Sequence, residues 1–255
     1  LFDDTMQSFS SDYADSLAME ESVTLRDARD NQEYTVAKLK DGKVWMTQNL
    51  DLAGGTSLYS SDSDVPVTDG NTAYYTLPNS SLSGFSNQGN NNPYVYNSGN
   101  HTDDCSSNYV GCYSYYSWNV ATVDSVDFAV NDNAPYSICP AGWRLPTYGK
   151  NDPVANEYRD LVFAYVGSVG NNGTFDGSTS PKATYVYQMM NENTIPNFLP
   201  SSIVENSQFE VSTRSQYWNA WVQAGIFYFN TSPIYATTNY YPWVGCSVRC
   251  ILRTE

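Results

Sequence analysis

The sequence predicts an α+β fold of short strands, few helices and long loops. Three observations predict it. Only 15% of the 255 residues are charged, and Ser, Asn, Thr, Gly and Tyr carry the polar balance. Those types favour turns and short strands over long helices. Strand-length runs of alternating character recur, and one segment shows a clear helical period. A hydrophobic share of 41% is enough for a sizeable core, and the length suits one loop-rich domain.

Residues 1–22 are acidic and mixed, with Phe2, Met6, Phe9, Tyr13 and Leu17 at roughly helical spacing. They are expected to form a docking or linker segment, and 23–255 the domain itself. Gln32 to Leu39 alternates as a strand, Asp41-Gly42 signals a hairpin turn, and Val44-Trp45-Met46 returns as its partner. Residues 53–115 read as a loop-rich insertion pinned by aromatics. The helix is placed at 152–167: Asp152 caps it, Pro153 opens it, Val154, Tyr158, Leu161, Val162 and Tyr165 share a face, and Gly167 ends it. Short strands are expected at 216–219, 226–230 and 247–252, with loops from Thr231 to Trp243.

The formal charge of −15, from 27 acidic and 12 basic residues, repels phosphate backbones and anionic lipid. Nucleic acid is therefore not an expected partner. No stretch is long and apolar enough for a membrane-spanning helix, so no membrane insertion is expected of this segment. The chain begins at Leu1, which reads as a mature region whose leader or anchor has been removed.

Five cysteines allow two bridges and one odd thiol in an oxidising compartment. Cys105 and Cys112 would close a small loop, Cys139 and Cys250 would staple distant segments, and Cys246 is left over. Five reduced core cysteines are the competing reading. His101 is the only histidine and has no nucleophile motif to serve, so no catalytic residue is assigned. No metal site is assigned either. Asp62, Asp64, Asp69 and Asn71 offer oxygens to calcium, but their spacing departs from the EF-hand pattern and a solvated acidic loop is favoured; no cofactor is expected. Arg144, flanked by core residues, reads as a structural residue held by a carboxylate or carbonyls.

The sharpest functional signal runs from Trp218 to Trp243, where Tyr and Trp interleave with Asn, Thr, Ser and Gly. Rigid aromatics with adaptable polar neighbours are the chemistry of binding surfaces. In the strand 226–230, alternation places Phe227 and Phe229 inward and Ile226, Tyr228 and Asn230 outward. The candidate ligand-binding residues are Asn219, Trp221, Gln223, Ile226, Tyr228, Asn230, Ser232, Tyr235, Thr237, Asn239, Tyr240, Tyr241 and Trp243.

Four segments in order carry a family resemblance: Asp27-Ala-Arg-Asp-Asn-Gln-Glu-Tyr-Thr-Val36, Val44-Trp-Met-Thr-Gln-Asn-Leu50, Ile138-Cys-Pro-Ala-Gly-Trp-Arg-Leu-Pro146 and Gly245-Cys-Ser-Val-Arg-Cys250. Together they resemble the Fibrobacter succinogenes major paralogous domain of bacterial surface proteins. The resemblance implies a C-type-lectin-like fold of the formylglycine-generating-enzyme type. It implies pairing of Cys139 with Cys250, and core roles for Trp45, Trp143, Leu145 and Val248. Cys246 departs from the family, which commonly has an aromatic there. Tyr217-Trp-Asn-Ala220 matches the segment that opens the variable face, a known target of diversity-generating retroelements. The function so implied is non-enzymatic recognition of a protein or glycan at a cell or host surface, outside the cell. A structural appendage subunit is the alternative. A formylglycine-generating enzyme is the third reading, disfavoured because Cys246 and Cys250, four apart on a strand, stand roughly 13 Å apart.

Overall fold

The computed structural model describes residues 4–81, 93–96, 114–125, 133–148, 156–166, 174–175, 203–205, 208–210, 215–220, 224–229, 234–239 and 241–254. Its strands are β1 (Ser22–Arg26), β2 (Glu33–Lys38), β3 (Val44–Met46), β4 (Ser57–Leu58), β5 (Tyr75–Thr76), β6 (Val95–Tyr96), β7 (Tyr115–Tyr116) and β8 (Trp143–Arg144). They continue with β9 (Thr174–Phe175), β10 (Ile203–Glu205), β11 (Gln208–Glu210), β12 (Ser215–Trp218), β13 (Gly225–Phe229), β14 (Ile234–Asn239) and β15 (Ile251–Leu252). Helices α1 (Ser11–Ser16), α2 (Trp118–Ala121) and α3 (Glu157–Val166) complete an α+β architecture in which strands predominate.

A five-stranded antiparallel sheet, ordered β1-β2-β3-β15-β8, forms the scaffold. The hairpin between β2 and β3 turns at Gly42, whose φ of +82° is a conformation that side chains with a Cβ rarely adopt. β15 lies between β3 and β8, with Ile251 opposite both Trp45 and Arg144. Cys139, just before β8, is bonded to Cys250, just before β15, with a Cα separation of 5.9 Å. The bridge spans 111 residues of sequence and fixes this junction. Trp143, Leu145, Val248 and both cysteines are buried in one continuous core, while Trp45 is buried outside it with its ring 5.3 Å from that of Tyr158.

The first twenty residues contribute to that same core. Met6, Phe9, Ala14 and Leu17 are buried, and Trp143 Nε1 donates to the Met6 carbonyl at 2.8 Å. Ser10 caps α1 by accepting from the Tyr13 amide. Asp27 and Arg29, both inaccessible, form a bidentate pair on the floor of this region. Arg29 also donates to the Ile138 carbonyl, and Gln7 donates to Asp27. Burial alone would raise the Asp27 pKa, but the Arg29 charge and hydrogen bonds outweigh it and lower it.

The described part of the helix begins at Glu157, and Asn156 lies at its start: its Oδ1 accepts from the Arg159 amide at 2.9 Å and its carbonyl from Asp160. Asn is as good a cap as Asp, and Glu157 next to it is held elsewhere. Arg144 grips Glu157 with two nitrogens, Lys43 adds a third contact at 2.9 Å, and the Thr147 amide a fourth. Arg144 is thus a structural residue tying β8 to α3. Tyr158, Leu161, Val162 and Tyr165 are buried as the period predicts. Asp152, Pro153, Val154 and Gly167 lie outside the described residues.

Within 53–115 the described parts form small paired strands, β4 with β5 and β6 with β7. Gly54 allows a close approach there, because a Cβ would sit 2.6 Å from the Pro78 carbonyl oxygen. A second sheet, ordered β12-β13-β14-β9, carries the C-terminal aromatic stretch. The expected loop from Thr231 onward is in part a strand: β14 pairs with β13 through Gly225↔Asn239, Ile226↔Thr238 and Tyr228↔Tyr235, with a register shift between. The β-branched and aromatic run Ile234-Tyr-Ala-Thr-Thr supports that strand.

Candidate functional site

The second sheet is attached to the scaffold through its first strand. β12 meets the terminal segment at the Tyr217↔Ser247 bridge, and β7 meets it at Tyr116↔Cys246. Trp218 Nε1 donates to the Tyr116 carbonyl at 2.6 Å, and the Ala220 amide donates to the Pro146 carbonyl at 2.8 Å. Below the bridge, Arg249 is buried, donates Nε to Asn49 Oδ1 at 2.8 Å and lies over the Tyr217 ring at 5.1 Å. Asn49 donates to Ser247 Oγ at 3.2 Å. Tyr217-Trp218-Asn219-Ala220 is therefore an internal clamp, buried along its length.

Three of the candidate binding residues change role. Asn219 is fully buried in the clamp, so it supports the face rather than presenting a contact. Ile226 is fully buried too, opposite Trp218 in the β12–β13 register. Alternation pointed it outward because that rule assumes one wet face. Here both faces of β12 are covered, since Tyr217 and Trp218 are each inaccessible. Trp243 is only 9% exposed and serves as the inner ring of a pair. Its partner Tyr241 is 54% exposed, with ring centroids 4.3 Å apart and planes inclined by 21°. A stacked, supported ring of this kind offers an open aromatic face at little entropic cost.

Tyr228, Tyr235, Thr237 and Asn239 lie on β13 and β14, whose backbone path places them in the same sheet. Trp221, Gln223, Asn230, Ser232 and Tyr240 lie outside the described residues, as do His101, Cys105 and Cys112.

The insertion reaches this face, which the sequence does not reveal. The Trp118 amide donates to the Pro242 carbonyl and the preceding Ser117 amide to the Tyr94 carbonyl, both at 2.9 Å. Ser117 Oγ in turn accepts from the Tyr94 amide at 2.8 Å. The start of α2 thus holds Tyr94 and the Tyr241–Trp243 segment side by side. No local pattern announces such a contact, because the two segments are distant in sequence.

Cys246 is buried and free, with Sγ 3.7 Å from Gln216 Oε1. Burial pushes its thiol pKa well above the ordinary value, with the Glu205 charge adding to the shift. The thiolate, the nucleophilic form, is disfavoured there. The four calcium candidates do separate jobs. Asp64 binds Arg253 at 2.6 Å and Ser137 at 2.7 Å, Asp62 accepts from Ser63, and Asp69 caps the turn at Asn71 and Thr72. Among the described residues no group of three or more His, Cys, Asp or Glu could hold a metal ion. No described helix is long and apolar enough to cross a membrane.

In comparisons with known proteins, no family model, curated protein or solved structure matches this chain.

Proposed function

We propose that this protein is a secreted or cell-surface, non-enzymatic binding domain with a C-type-lectin-like fold. It meets a protein or glycan through the face formed by β13, β14 and the Tyr241–Trp243 segment. The observation that carries the reading is the Tyr241 ring, more than half exposed yet stacked on a buried tryptophan. A rigid, stacked aromatic with an open face is the kind of group that binding surfaces use. The Cys139–Cys250 bridge is compatible with an oxidising, extracellular setting. An acidic chain with charge −15 favours neutral or cationic ligands over polyanions.

Retroelement diversification belongs to the same proposal, in a narrower form. Variation would fall on outward codons between 221 and 241, leaving Asn219, Ile226 and Trp243 fixed as core.

The test is a glycan and surface-protein array probed with the disulfide-bonded protein and with Tyr241→Ala. Retained folding with lost binding supports the face. Equal binding by both proteins removes it. Concentration-dependent self-association without array binding would turn the reading toward an assembly subunit.

A further inference from the structure

A second polar cluster lies at the far end of α2, outside the aromatic face. Asn119 is about nine-tenths buried, and its Oδ1 has no hydrogen-bond partner. Its Nδ2 donates to Asp124 Oδ1 at 3.0 Å, and the Asp124 amide donates back to the Asn119 carbonyl at 2.8 Å. The unfilled oxygen shares an amide with that nitrogen, so it sits within a few ångströms of the Asp124 carboxylate. Asp124 itself is exposed and has no cationic partner among the described residues.

The buried hydroxyl of Tyr75 has no partner at ordinary hydrogen-bond geometry and faces the Asp124 carboxylate. Burial first, and the Asp124 charge second, hold that hydroxyl protonated well above its usual range. The Tyr74 ring, 38% exposed, packs 6.5 Å from Tyr136. The Tyr136 carbonyl accepts from Ser125, the residue after Asp124. An aromatic pair therefore flanks the same loop. The loop runs through consecutive positive φ values, +48° at Val123 and +52° at Asp124. A β-branched residue rarely adopts that conformation, and here it holds the carboxylate beside the amide.

The carboxylate, the amide oxygen and the phenolic oxygen gathered here can each accept a hydrogen bond, and the amide oxygen of Asn119 has none. Groups of that kind beside aromatic rings suit a donor-rich cation. We propose that Asn119, Asp124 and Tyr75 form a binding site for a primary ammonium group, such as a lysine side chain of a partner. A bridging water is the competing occupant, since it too would fill Asn119 Oδ1.

The test follows the Asn119 side-chain amide and the Asp124 backbone amide by nitrogen-15 NMR. The labelled protein is titrated with N-acetyl-lysine amide and, separately, with N-acetyl-norleucine amide. The proposal expects saturable shifts with the lysine compound alone, weakened by added salt. Asp124→Asn should abolish them with the melting temperature kept, because Asn also tolerates positive φ. Tyr75→Phe should weaken binding severalfold, and Tyr241→Ala should leave it unchanged, which separates this site from the aromatic face. Unmoved resonances, equal shifts with norleucine, or full binding by Asp124→Asn would overturn it; the first would leave water as the occupant.

Discussion

The two sheets differ in what holds them. The five-stranded sheet is locked by a disulfide, by the Asp27–Arg29 pair and by the Arg144–Glu157–Lys43 cluster. The four-stranded sheet is tied at its first strand by one isolated bridge, Tyr217↔Ser247, by the Trp218 indole and by the buried Arg249 under Tyr217. One region concentrates covalent and ionic ties, while the other is tied through β12 to the terminal segment and through β14 to α3. On the binding function proposed above, this contrast would let the face accept substitutions, because stability would rest on residues outside it.

That contrast can be broken most severely at the disulfide. Changing Cys139 and Cys250 to Ser should cost about 5 kcal/mol by the loop-closure argument for a bridge of this span and lower the denaturation midpoint of the whole protein. A change confined to the second sheet would contradict the division of labour. Asp27→Asn should cost about 4 kcal/mol, because Arg29 would remain buried without its counter-charge. Chemical denaturation measures both.

Glu157 gives the comparison a pH dependence. Despite burial, Arg144 and Lys43 lower its pKa from 4.5 to about 2. Its stabilisation is therefore complete above the unfolded value and is lost as pH falls from about 4.5 to 2, amounting to about 3 kcal/mol. Asp41 has the opposite sign. Burial raises it to about 6, despite hydrogen bonds from Trp45 and Lys43. The folded state then holds its proton longer, and stability declines as pH rises from about 4 to 6. Melting curves should show a maximum near the overlap of these windows. Glu157→Gln should remove its acid limb and Asp41→Asn should flatten the decline.

The smallest expected effect on stability is at Tyr241. Replacement by Ala should change unfolding free energy by less than about 1 kcal/mol, since the ring is largely exposed. Binding should nevertheless be lost. A stability loss as large as that of the scaffold variants would make Tyr241 a packing residue instead.

Much of the scaffold was legible because its signals are local. The β2–β3 hairpin follows from alternation around Asp41-Gly42, and the buried face of α3 from its period. The Cys139–Cys250 pairing came from a family resemblance, and the structure contains that bond. The site was less legible for two physical reasons. Alternation reports which residues share a face, but not whether that face is wet, and so Ile226 was misplaced. Asn219 looks like a contact residue by type, yet it closes a clamp made by partners far away in sequence. The contacts that hold Glu157 at the start of the described part of α3 come from Arg144, Lys43 and the Thr147 amide, which no helical period announces. The Asn119–Asp124 cluster rests on positive φ at a valine, which no propensity predicts.

The position of β15 has a consequence in time. The strand made from Ile251 and Leu252 is among the last residues of the sequence, yet it lies inside the scaffold sheet with neighbours on both sides. β3 and β8 cannot be joined until it has been synthesised. The cysteine that seals this junction, Cys250, arrives at the same moment. Folding vectorially from the N-terminus would stall with a gap in the sheet, and closing it requires contacts of very long sequence separation, which form slowly. Completion of the scaffold sheet therefore waits for the emergence of β15 and for access to an oxidant.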